Sequence, residues 1–258
     1  MSPVVARIYR YPVKGLNAEA VTATTLQPGH GLPLDRVFAL APASAVVDAA
    51  PSEWVSESHF VTLARHERLG AVDARYDAAT GVLALYRKGR KVTQGNLASP
   101  IGRAMIEEFF RAYLKNELPA PPHLIGSVSG PRLSDQSEPG LSIVGLASIS
   151  DLERVVGSPV DPLRLRASLY VAGTAPWEEF GWVAQEITVG TARLLVKERI
   201  KPTTAADVEP GTGIRDQHIA RSLMAGFGHA ECGVFATVVT AGNVAVGDPV
   251  IPAGGKTL

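Results

Sequence analysis

The sequence predicts a mixed α/β fold that is mainly β, with barrels favoured over a doubly wound sheet. Three observations predict it. Short β-type runs recur every ten residues or so between turn signals. The 25 Gly and 19 Pro that break them are spread along the whole chain. One segment alone carries a long, well-capped helical period. With 46% hydrophobic and 19% charged residues in 258, the chain has the composition to build a core.

Taken in order, "VVARIYRYPV" opens as a strand, and "AVTATTLQ" and "RVFALAPA" follow as strands. "ARYDAATGVLALYR" reads as strand, turn, strand, with Asp77 to Gly81 as the turn and Val82, Ala84 and Tyr86 alternating after it. "SPIGRAMIEEFFRAYLKNEL" is a helix: Ser99 suits the N-cap, Pro100 the first helical position, and Ile101, Met105, Phe109 and Tyr113 form a core-facing stripe. "PAPPHLIGSVSGPRLSDQSEPG" has no period and is expected to be a linker or long loop. "SIVGLASISDLERVVGSPVD" gives a short strand and a helix of about ten residues ending at Gly157. The remaining segments are strand-like. In the last, Ala241 to Asn243 is expected to make a hairpin and Gly247-Asp248 a closing turn. These divisions place one domain at 1–122, a linker at 123–140 and a second domain at 141–258.

Lys plus Arg equals Asp plus Glu, 25 each, which argues against a nucleic-acid footprint. The one cysteine, Cys232, excludes a disulfide framework or a Cys-based zinc cluster within the chain. No apolar run approaches membrane-span length and the N-terminus lacks a signal-type h-region. The expectation is a soluble cytoplasmic protein without nucleic-acid or membrane partners. The six histidines show no metal-ligand spacing, and there is no P-loop or G-x-S-x-G elbow.

Several segments resemble one family. "YPVKGL" (11–16), "GHGLPLDRVFAL" (29–40) and "FVTLARHERLGAV" (60–72) are similar to segments of a MOSC N-terminal β-barrel domain. "LSIVGLASISDLERVVGSPVDPLRLRASLYVAG" (141–173), "PWEEFGWVAQEITVGTARLLV" (176–196) and "CGVFATVVTAGNVAVGDPV" (232–250) are similar to successive parts of a MOSC domain. The ordered set resembles the two-part MOSC proteins, the YcbX-type and mitochondrial amidoxime-reducing-component arrangement. That resemblance implies a β-barrel MOSC domain behind a β-barrel-like domain with one or two helices. It also implies a molybdenum cofactor between the two, its metal held by a Cys thiolate shortly before a Val-Asp-Pro-x-Thr-Gly turn. Here the turn is "VEPGTG" (208–213), and counting back from it puts Thr203 where the thiolate is expected. A Thr hydroxyl is neutral at pH 7 and does not replace a thiolate. Cys232 is the one alternative thiol.

The resemblance places Lys14, Arg36, Arg65 and Arg166 around an anionic ligand, which Arg recognises by planar, bidentate donation. Thr62, Ser168 and Thr204 are candidate hydroxyl donors to the same ligand. Asp207 and Glu209 flank Val208 and would share a face if extended, but such pairs are more often solvated loop residues. Asp216 is the preferred carboxylate for acid–base work, beside Thr203 and Cys232 as catalytic candidates. Trp177 and Trp182 read as core and turn anchors.

Three functions remain open on the sequence. The first is a molybdenum-free MOSC enzyme whose cationic inter-domain cleft binds an anionic small-molecule substrate for lyase-, hydrolase- or isomerase-type chemistry. The second is a molybdenum-cofactor oxidoreductase reducing N-oxygenated substrates, which would need a redox partner. The third is a non-catalytic ligand-binding or carrier module.

Overall fold

The computed structural model describes residues 2–45, 48, 51, 53–118 and 120–252. The first strand, β1 (Val4–Arg10), does not stay with the first half of the chain. Val5 and Ile8, brought to one face by a bulge between Val5 and Arg7, are buried in a core shared with Leu141, Leu169 and Val234, far along the sequence. After β2 (Glu19–Val21) and β3 (Ala23–Leu26) the chain leaves this core. It builds β4 (Phe38–Ala41), the meander β5 (Asp73–Asp77), β6 (Val82–Arg87) and β7 (Arg90–Asn96), then helix α1 (Pro100–Tyr113) and β8 (His123–Gly126), which pairs antiparallel with β4. It then returns with β9 (Leu141–Gly145), α2 (Leu146–Val156), β10 (Leu169–Ala172), β11 (Glu186–Val189), β12 (Ala192–Arg199), α3 (Ile219–Phe227), β13 (Val234–Thr240), β14 (Gly242–Ala245) and β15 (Val250–Pro252).

The main sheet has eight strands in the order β15-β11-β12-β13-β9-β10-β1-β2. Only β9 and β10 run parallel, with α2 as the crossover between them. A Val4–Pro249 bridge and the Val5 to Asp248 backbone bond draw the β15 edge back to β1, closing the sheet on itself with β2 left beside the closure. The fold is therefore mainly β, as expected.

Local signals held where they rest on one residue's chemistry. Ser99 caps α1, its Oγ accepting from Gly102 N (3.0 Å), and Pro100 opens the helix. Gly157 ends α2 at φ 77°. Asp77 organises its turn by accepting from Ala79 N (2.9 Å).

Four expectations are corrected. The core face of α1 is Gly102, Ile106, Phe110 and Tyr113, whereas Ile101 is 77% and Met105 48% exposed. Two glycines set this rotation. Gly102 lies directly on the end of β7, where a Cβ would collide with the Asn96 backbone, and a Cβ on Gly95 would strike Gly102. "AVTATTLQ" is two strands, because Val21 pairs with Ile8 while Ala23 pairs with Ala245. β13 and β14 form no hairpin. Asn243 is taken up by Thr191, which donates its backbone N–H (3.0 Å) and accepts at Oγ1 (2.8 Å), and β14 continues onto β3. The expected linker at 123–140 contains β8 and the fully buried Leu133, whose N donates to Arg36 O (2.8 Å).

The glycine contact gives a direct check. Gly102→Val should destabilise the protein by about 2–3 kcal/mol through overpacking, while Ile101→Ser on the exposed face should stay within about 0.5 kcal/mol. Urea unfolding midpoints measure both.

Candidate functional site

The chain crosses between its two halves at Tyr11. The residue is 1% exposed, and its backbone is fixed from both sides: Tyr11 N donates to Asp35 Oδ1 (2.7 Å), and Arg36 N donates to Tyr11 O (2.7 Å). Two guanidiniums lie over its ring, Arg36 at 5.1 Å and Arg166 at 4.3 Å from the centroid. Arg36 Nη2 also donates to Arg166 O (3.4 Å). Both arginines hold left-handed backbone, φ 49° and 51°, a conformation that non-glycine residues keep only when their surroundings impose it.

Beside this stack lies a cavity of about 250 Å³. Of the expected ligand-binding residues, Lys14, Arg36, Thr62, Arg166 and Ser168 line it, together with Thr203 and Cys232. Three others do not. Arg65 points to the surface, where Nη1 donates to Ser58 O (3.3 Å). Thr204 donates to Ala64 O (3.3 Å) on the outer side of its turn. Asp216 stands behind the wall, paired with the buried Arg164 at 2.8 Å.

Most lining cations already have carboxylate partners. Lys14, 3% exposed, is bound to Asp135 and donates to Leu133 O (2.9 Å). Arg36 is bound to Asp35. Arg164 holds Asp216 and donates to Asp207 O (3.1 Å). Among the described residues the Arg166 guanidinium has neither a carboxylate within ion-pair distance nor a hydrogen-bond acceptor, a freedom it shares among lining cations only with the exposed Lys201. Two buried hydroxyls nearby also lack partners: Thr62 Oγ1 within the cavity and Tyr11 Oη beside it. Buried polar atoms without partners are uncommon and mark places where a ligand or water belongs.

The charges shape one another. Burial lowers the Lys14 pKa, against the pull of Asp135. Burial works against the Arg36 charge, but Asp35 and Asp135 outweigh it and the pKa rises. Asp135 sits at the mouth with 49% of its side chain open, yet walled by the cleft; burial pushes its carboxyl up, and Arg36 and Lys14 more than reverse this. Glu57, on the same wall, is raised by burial and by the Asp135 charge. One carboxyl is held down and its neighbour held up, the environment split that separates an acid from a base. Burial also pushes the Tyr11 hydroxyl to about 12, so it is a donor at neutral pH.

The residues do not fit a molybdenum–thiolate centre. Thr203 is exposed and its Oγ1 accepts from Ala205 N (3.3 Å), capping the short 3-10 turn Thr204–Asp207. Cys232 does face the cavity, held by its N donating to Ile200 O (2.8 Å). The residue is 2% exposed, and burial, then the neighbouring charge of Glu179, pushes its pKa up. No group of three or more His, Cys, Asp or Glu among the described residues could hold a metal ion. No helix among them is long and apolar enough to cross a membrane.

Sequence reading missed Tyr11, Glu57, Asp135 and Arg164. Asp135 lay inside the segment taken for a linker. Arg164 lies two residues before Arg166, on a 3-10 turn, Pro162–Leu165, whose N-cap Asp161 accepts from Leu163 N (2.9 Å). Asp207 proves to be a cap, its Oδ1 accepting from Ile219 N at the start of α3 (2.9 Å). Trp177 packs against Phe227 and His229 and lies outside the cavity.

Comparison with known protein families finds two models that match the chain in succession. The MOSC domain matches residues 131–251, and the MOSC N-terminal beta barrel domain matches residues 2–113. Among solved structures, the YUAD protein from Bacillus subtilis is similar over 97% of this chain and 94% of its own, at 14% identity and TM-score 0.45. YiiM from Geobacillus stearothermophilus is similar over 43% of this chain and 53% of its own, at 15% identity and TM-score 0.34. No curated protein matches.

The Asp135 environment predicts a pH signature. A carboxyl whose native pKa is depressed stabilises the fold fully above its unfolded value, about 3.9, and loses that contribution as pH falls through the native value. Asp135→Asn should therefore unfold at lower urea than wild type at pH 7, with the gap closing progressively below about pH 4. Urea midpoints from pH 7 to pH 2.5 test it.

Proposed function

This chain belongs to the MOSC family in its two-part form, and we propose that it uses the cavity between its halves to bind an anionic small molecule without a molybdenum–thiolate centre. The observation that carries the reading is Arg166. It is a cavity-lining cation with no carboxylate partner, strained into a left-handed backbone, beside buried hydroxyls that also lack partners. An anion accepting from Arg166 and Thr62 would satisfy both, and charge-assisted bonds of this kind are the stronger class.

Acid–base chemistry on such a ligand falls to Glu57 and Asp135 rather than to Asp216. Both line the cavity, and their opposed environments suit them to give and to take a proton. Asp216 is committed to Arg164, and Thr203 to its turn. The reaction class stays with lyase-, hydrolase- or isomerase-type proton transfer. The oxidoreductase reading lacks the expected thiolate at Thr203, whose hydroxyl caps its own turn.

Calorimetric titration with inorganic phosphate tests the binding. Wild type should bind, Arg166→Ala should weaken binding by about tenfold or more, and Arg65→Ala, outside the cavity, should change it little. Circular dichroism and an Arg166→Lys variant separate lost binding from lost folding. Elemental analysis from a cofactor-producing host should find no molybdenum in the wild type. Stoichiometric molybdenum there would overturn the metal-free reading, and Cys232→Ser would then show whether that thiol is the ligand.

A further inference from the structure

The hairpin between β6 and β7 carries "RKGRK" at its tip, four cations in five residues of a chain whose net charge is zero. Arg87 pairs with Arg90, so the connection is a two-residue turn, with Lys88 at φ 48° and Gly89 at φ 75°. Lys88, Arg90 and Lys91 are exposed and Arg87 is half-buried. Exposed arginines elsewhere find carboxylates, as Arg75, Arg111 and Arg193 do, but among the described residues none of these four has one within ion-pair distance.

Folding alone disfavours this composition. A two-residue turn with positive φ at both positions favours Asn, Asp or Gly first, and Lys88 is none of these. Like charges directly opposite on paired strands are destabilising, and Arg87 stands opposite Arg90. Edge protection does not account for the cluster either. β7 is an outer strand of its three-stranded sheet, where charge blocks stray pairing, but Arg87 is on the central strand and Lys88 is in the turn.

The surroundings narrow the partner. The Arg87 guanidinium lies over the Tyr113 ring at 4.6 Å, where Arg68 also lies at 4.5 Å, and Arg75 covers Tyr86 at 4.3 Å. Both rings beside the tip are thus capped by guanidiniums and offer no platform on which bases could stack. Val92 is the one large apolar side chain exposed on the hairpin, too little to enter a bilayer. Arg87 Nε is buried there without an acceptor, so the guanidinium is held in place and not spent on a bond within the protein.

We propose that this tip docks an acidic segment of a partner protein, a run of Asp and Glu side chains that the two arginines meet by forked hydrogen bonding and the two lysines as point charges. The inference is independent of the anion-binding reading, because none of the four residues lines the cavity of about 250 Å³ around Arg166.

Fluorescence anisotropy of a labelled glutamate-rich peptide, titrated with the full chain, tests it. Wild type should bind at low salt and lose affinity as salt screens the charges. Arg90→Glu with Lys91→Glu should weaken binding by about tenfold or more. Lys197→Glu with Arg221→Glu, exposed cations of the other half, changes the net charge equally and should leave binding near the wild-type value. Lys88→Asn should weaken binding while keeping or raising the urea midpoint, a combination that a merely structural residue would not give. No binding to wild type, or equal weakening in both double variants, would overturn the docking site. Tighter hairpin-dependent binding of duplex DNA or of phosphatidylserine vesicles than of the peptide would overturn the acidic-protein assignment.

Discussion

The arrangement at Tyr11 is the constraint on which the rest depends. The chain first turns from the large sheet toward the N-terminal half here, with both the N–H and the C=O of Tyr11 committed to the Asp35-Arg36 pair, before β2 returns to the sheet. Arg166, from the other half, covers the same ring. A left-handed backbone costs of order 1–3 kcal/mol at each such residue. It persists here because the Arg36 N–H bond to Tyr11, the Arg36 bond to the Arg166 carbonyl and the two ring contacts over-determine it. The register of the two halves and the position of the free guanidinium are thus set by one interaction. A cavity built on two arginines anchored to the same ring cannot open or close without moving both.

That geometry also sets the charge balance of the cavity. A cleft lined by Lys14, Arg36, Arg164 and Arg166 would be strongly cationic on its basic residues alone. Asp135, Asp35 and Asp216 remove most of that charge before any ligand arrives. A polyanion would find one free, half-buried arginine and three engaged cations, with carboxylates to repel it. A compact head of one or two charges meets Arg166 and the Thr62 hydroxyl without displacing an ion pair. Neutralised surroundings therefore narrow the ligand more than an open basic patch would, because every extra negative charge must compete with Asp135 for Lys14.

What was legible in the sequence follows the range of the physics involved. Ser99, Pro100, Gly157 and the Asp77 turn act within four residues, and the sequence shows them directly. The rotation of α1 was misread because Ile101-Met105-Phe109 and Ile106-Phe110-Tyr113 are equally good stripes, and the choice between them is made by contact of Gly102 with β7, which periodicity does not encode. The partners of β14 and of β1 lie hundreds of residues away in sequence or nearly so, and local turn chemistry says nothing of them. At the site, Lys14, Arg36 and Arg166 were legible through a family resemblance. Asp135 and Glu57 were not, because a carboxylate in a Pro- and Ser-rich or turn-like stretch looks like any solvated loop residue until the fold brings it to a cation. Arg65 misled for the opposite reason: its chemistry suits an anion, but its side chain leaves on the outer face of the segment that buries Thr62.

The absent thiolate bears on whether the site is a relic or a rebuilt one. A cleft that had only lost its metal would be free to relax: strained backbone could return to ordinary φ, and orphaned hydroxyls could turn to the nearest carbonyl or to solvent. Here Arg36 and Arg166 keep left-handed backbone, and Thr62 and Tyr11 keep unpartnered hydroxyls in buried positions. The unpartnered hydroxyls are a standing cost with no return within the protein alone. Meanwhile the one thiol is packed in an apolar cluster with Val144, Ile149 and Leu223, near a buried carboxylate, the surroundings least able to hold a sulfur anion. The strained arginines and unpartnered hydroxyls thus sit at the same cavity as a thiol packed into apolar surroundings, which is the ground for the metal-free reading proposed above.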